Sequence, residues 1–81
     1  MPEHRTDESI QSRIQRLVHE EQELYRRGNL DDHAQVRLEA LKVELDQYWD
    51  LLRQREALRE FGQNPDDAKI RPASVVEKYE Q

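Results

Sequence analysis

Eighty-one residues suffice for one small domain and are too few to bury a large core. Charged side chains make up 38% of the chain and hydrophobic ones 35%, with a net charge of −5, a balance that disfavours nonspecific binding to nucleic acid or to an anionic membrane. The absence of cysteine excludes disulfides, thiolate metal sites and cysteine nucleophiles.

The opening MPEHRTDES is acidic and polar where a secretory signal would be basic and then apolar, and residues 1–5 carry no structural signal. No apolar run approaches the roughly 20 residues that span a bilayer, so the expected setting is the cytoplasm, without membrane attachment. Thr6 or Asp7 is suited to cap a first helix, and Asp7 and Glu8 complement its dipole. Ile10, Ile14, Leu17, Val18, Leu24 and Tyr25 then form one helical stripe, interrupted by Glu21. Arg26 and Arg27 suit the last turn and Gly28 the left-handed position beyond it, which predicts a helix over about 7–27.

Asn29 and Leu30 form the connection, and Asp31 caps a second helix predicted over about 31–61. Ala34, Leu38, Leu41, Leu45, Tyr48 and Leu52 recur in steps of four and three, which keeps them on one helix face. So short a loop makes the two helices antiparallel neighbours. At 1.5 Å per residue the first is roughly 31 Å long and the second roughly 45 Å. The second helix should therefore overhang the first by several turns, carrying Trp49, Leu51, Leu52, Leu58 and Phe61.

Gly62 ends that helix, and Asn64-Pro65-Asp66-Asp67 begins a new turn with Asn64 as cap and Pro65 at the first helical position. Ala68 and Ile70 give this turn an apolar side, and Arg71-Pro72 breaks it. Ala73 to Tyr79 can add two helical turns, with Val75, Val76 and Tyr79 as contacts. The expected fold is all-α: one helical domain over 1–81, an antiparallel two-helix hairpin with a short helical tail (62–81). The overhang favours a homodimeric four-helix bundle with Tyr48, Trp49, Leu51, Leu52, Leu58 and Phe61 at the interface.

The run Leu45-Asp46-Gln47-Tyr48-Trp49-Asp50-Leu51-Leu52-Arg53-Gln54-Arg55 resembles a family of small bacterial proteins known as the domain of unknown function 2630 family. The resemblance continues through Phe61-Gly62, Asn64-Pro65-Asp66-Asp67-Ala68 and Arg71-Pro72 to Val76-Glu77-Lys78-Tyr79, and is loose over the first helix. It implies a complete small protein and brings no activity, ligand or catalytic residue. Members commonly carry cysteine where this chain has Tyr48, so the resemblance implies no general thiol role.

His19-Glu20-Glu21-Gln22-Glu23 echoes the HExxH zinc motif, but Glu23 replaces the second histidine and only His4 and His33 remain, so no metal or cofactor is expected. Ser9, Ser12 and Ser74 have no histidine placed beside them for nucleophilic catalysis, and carboxylates on solvated helix faces do no acid–base work. Arg53, Arg55 and Arg59, with Arg71 from the tail, form the basic cluster suited to a phosphate or carboxylate, although Asp50, Glu56 and Glu60 are interleaved and predict ion pairs instead. The expectation is a non-enzymatic module that binds itself or another protein, and no nucleic acid. The alternative is a small anionic-ligand binder at those arginines.

Overall fold

The computed structural model describes residues 6–28 and 31–77, all of whose regular structure is helical. The order is α1 (Asp7–Arg26), α2 (Asp32–Glu60), a 3₁₀ turn (Pro65–Asp67) and α3 (Ala73–Val76). The 29–30 connection, His4, Tyr79 and the first five residues lie outside the described residues.

Local chemistry sets the ends of the helices. Thr6 is the N-cap of α1: its Oγ1 accepts from the Ser9 N–H at 3.1 Å, and Ser9 Oγ accepts from the Thr6 N–H at 3.0 Å. Asp31 caps α2 by accepting from the Ala34 N–H at 2.8 Å. Helix α1 ends one residue earlier than the spacing predicts, with Arg27 as its C-cap and Gly28 in the left-handed region at φ +72°. Helix α2 closes in a Schellman motif: the Gln63 N–H donates to Leu58 O and the Gly62 N–H to Arg59 O, with Gly62 at φ +70°.

The two long helices are antiparallel. Arg37 pairs with Glu20, Arg13 with Glu44, and Arg55 with Asp7, so partners climb α2 as they descend α1. Between them lie Ile10, Ile14, Leu17, Leu41 and Leu45, with Leu41 wholly enclosed and Val18, Leu24, Tyr48 and Leu52 packed at the margins. Tyr25, expected in the α1 stripe, is about half exposed in the last turn of α1, where Leu24 is the residue packed against the core.

Helix α2 is nine residues longer than α1, an overhang of roughly 14 Å. The tail covers much of it by running back along α2 as a strap. Ala68 and Ile70 pack against the core, which extends to Leu51 at 2% exposure, and Val76 is buried. Apolar contacts are few; polar groups supply the remainder. Among the described residues α3 is one turn, and the rest of the stretch expected to be helical, Lys78 and Tyr79, lies outside them; Val75 is exposed while Val76 is buried.

Candidate functional site

The residues singled out from the sequence converge on the C-terminal half of α2, where the strap and the start of α1 meet it. Arg55 is the centre of one clamp. Its side chain is 8% exposed; Nε donates to Asp7 Oδ1 at 2.6 Å, and Nη1 donates to Asp66 Oδ1 at 3.0 Å and to Pro65 O at 3.1 Å. Arg59, one turn on, donates to the other Asp7 oxygen at 2.8 Å. The hydrogen bond from Arg55, helped by Arg59 and opposed by partial burial, holds the Asp7 carboxyl below its ordinary pKa. In turn, Asp7 raises the pKa of the Arg55 guanidinium.

The second clamp lies on the strap side. Arg71 grips Asp50 through two hydrogen bonds, one from Nε to Oδ2 at 2.9 Å and one from Nη2 to Oδ1. Gln54 Nε2 donates to Asp50 Oδ2 and to Lys69 O, each at 2.8 Å, and Gln47 Nε2 donates to Arg71 O at 3.1 Å. The Arg71 bond, with Gln54 assisting against burial, lowers the Asp50 pKa. Two amides on α2 thereby satisfy carbonyls of a strap that has little regular structure of its own.

The four candidate anion-binding arginines are therefore divided. Arg55 and Arg59 are occupied by Asp7 and Asp66, and Arg71 by Asp50. Of these four, Arg53 is the one that is exposed and makes no ion pair among the described residues, because Arg71 holds Asp50, the acid three residues before it. Among the interface candidates, Leu51 lies in the core of its own chain, and Tyr48, Leu52 and Leu58 are half-buried. Trp49 is 47% exposed and Phe61 79%.

Sequence reasoning missed the clamp roles of Asp7, Asp50 and Arg55, yet two of them leave a signal. The 4-3 spacing of Leu41, Leu45, Tyr48 and Leu52 continues to Arg55, and that of Ile14 and Ile10 continues back to Asp7. Opposite charges thus occupy apolar-stripe positions at the same end of the hairpin. His19, by contrast, is exposed, and among the described residues no group of three His, Asp or Glu side chains could hold a metal ion.

The sequence model of the family described as "Protein of unknown function (DUF2630)" matches residues 6–81. The chain belongs to this family. An uncharacterized protein of Mycobacterium bovis and uncharacterized proteins of two Mycobacterium tuberculosis strains are each 45% identical to it over 78 residues, covering 91% of this chain and 90% of theirs. No solved structure matches it. The family match includes both clamps, from Asp7 to Arg71, so it spans every segment that the clamps tie together. None of the helices among the described residues is long and apolar enough to cross a membrane.

Proposed function

We propose that this family member is a non-enzymatic, self-associating interaction module, a homodimer formed through the outer face of the C-terminal half of α2. The observation that carries this reading is the exposure of Trp49, and of Phe61 at the C-cap, on the outer side of a stretch whose Leu51 and Arg55 are buried beneath α1 and the strap. They share one row of side chains, Trp49-Arg53-Ala57-Phe61, spaced by four residues, and all four are exposed. Two large aromatics on one ridge make an apolar surface that soluble monomers seldom leave open. Arginines held internally by Asp7, Asp66 and Asp50 are not free to serve as a general anion site, which favours the interaction reading over the ligand reading.

Sedimentation equilibrium tests this directly. The expected outcome is a dimer at micromolar concentration, with a melting temperature that rises with protein concentration because folding and association are linked. A well-folded monomer at high micromolar concentration overturns it.

A further inference from the structure

Beside the Arg71–Asp50 clamp, α2 and the strap border a cleft of about 250 Å³, lined by Asp50, Arg53, Gln54, Ala57 and Arg71. Its polar groups are unequal. Asp50 is engaged by Arg71 and Gln54, and Gln54 is also engaged by the Lys69 carbonyl. Arg53 is the wall residue without an ion pair among the described residues, and it lies near enough for its charge to help lower the Asp50 pKa. With the Asp50 and Arg71 charges cancelling, the cleft keeps the single positive charge of Arg53, on a chain whose net charge is −5. One positive charge matches one carboxylate and leaves a doubly charged phosphate half-neutralised.

The exposed ridge that borders this cleft, Trp49-Arg53-Ala57-Phe61, also has a particular symmetry. Two copies of α2 crossing antiparallel about a twofold axis between Arg53 and Ala57 bring Trp49 of each onto Phe61 of the other. The same operation brings Arg53 of each opposite the Glu56-Ala57 step of the other. Glu56 is exposed and, like Arg53, makes no ion pair among the described residues. Ridges of residues four apart packing into one another are a common mode of helix contact. Trp49 and Phe61 are twelve residues apart, roughly 18 Å along the helix, so the two aromatic contacts would flank a central pair of ion pairs.

From this charge and ridge complementarity we infer that the carboxylate taken by the Arg53 cleft is Glu56 of a second copy, in an antiparallel dimer with two Arg53–Glu56 pairs and two Trp49–Phe61 contacts. The inference rests on the self-association proposed above and specifies its register. It also explains why Arg53 is left unpaired on a helix rich in glutamate: its partner comes from the other chain. The ion pairs supply register, and the aromatic contacts supply most of the attraction.

Charge reversal separates this pairing from mere dimerisation. Arg53→Glu and Glu56→Arg are exposed substitutions, so circular dichroism and the unfolding midpoint at low protein concentration should remain near wild type. Each variant alone places like charges together twice and should weaken its homodimer at least tenfold in sedimentation equilibrium. An equimolar mixture of the two variants restores both pairs, as does the double variant Arg53→Glu/Glu56→Arg. Both should therefore regain the wild-type dissociation constant within about threefold. If the wild type dimerises but neither the mixture nor the double variant recovers, the register is overturned and self-association stands. If the wild type is a monomer, the self-association reading itself is overturned.

Discussion

Arg55 and Asp7, 48 positions apart in the chain, meet at 2.6 Å where the end of α2 passes the start of α1. The same guanidinium reaches Pro65 O and Asp66 in the strap. One side chain thereby ties three segments together at the end of the hairpin farthest from its loop. An apolar residue there would bury as well against the core but would hold neither the first turn of α1 nor the strap. The polar contacts specify where those two pieces sit.

Replacing Arg55 with Met keeps much of its volume and removes every hydrogen bond. Asp7 and Asp66 are partly exposed and can turn to water, so no charge is left stranded in the interior. The expected loss is therefore moderate, about 1–3 kcal/mol by denaturant unfolding. Faster amide exchange in residues 64–70 should accompany it, with residues 38–45 changed less. Equal loss of protection in both regions contradicts a clamping role.

Acid should loosen the same contacts. Hydrogen bonds from Arg55 and Arg71 lower the folded pKa values of Asp7 and Asp50, respectively, below that of an unfolded aspartate at about 3.9. Their contribution is thus complete above that pH and disappears as pH falls through the folded values. The melting temperature should be level between about pH 5 and 7 and decline below about pH 4. Asp50→Asn should lower the plateau and make the acid decline shallower, since one linked proton is gone. An unchanged slope in that variant removes Asp50 from the linkage.

Gly62 tests the exit from α2. At φ +70° it adopts a conformation that side chains resist, and beyond its immediate chain neighbours no atom lies within 4 Å of where a Cβ would stand. Gly62→Ala therefore meets only backbone strain, about 1–2 kcal/mol, with Gly62→Asn costing less. Unfolding midpoints of the two variants give the comparison, and equal losses would point to steric crowding instead.

What the sequence made legible follows from the range of the physics. Gly28, Gly62, Asp31 and Asn64-Pro65 announce helix ends through interactions within a few residues, and the structure has them there. The seam through Leu41 and Leu45 is legible because burial repeats with the helical period. Asp50 was less accessible: its position suggested a pair with Arg53 on its own helix, whereas its partner is Arg71, 21 residues away. Only the return of the strap makes that pairing, and that return depends on two glutamine amides that have no sequence periodicity. The Arg55–Asp7 clamp lies between these cases, since both residues extend apolar stripes and only their charge obscured it.

Leu51 and Trp49 provide the last contrast, since the sequence assigned both to one interface. Leu51 is 2% exposed beneath the strap, and Trp49 is 47% exposed on the outer ridge. Leu51→Ala should remove apolar contacts and leave a cavity, costing about 2–5 kcal/mol, a loss visible at low protein concentration. Leu41→Ala, at 0% exposure, should behave alike. Trp49→Ala, at a half-exposed site, should cost clearly less than Leu51→Ala in dilute solution, yet raise the dimer dissociation constant at least about tenfold. Unfolding curves at two protein concentrations, read beside sedimentation equilibrium, distinguish the two effects. If Trp49→Ala unfolds the dilute chain as readily as Leu51→Ala, Trp49 belongs to the fold of one chain and the ridge is no interface.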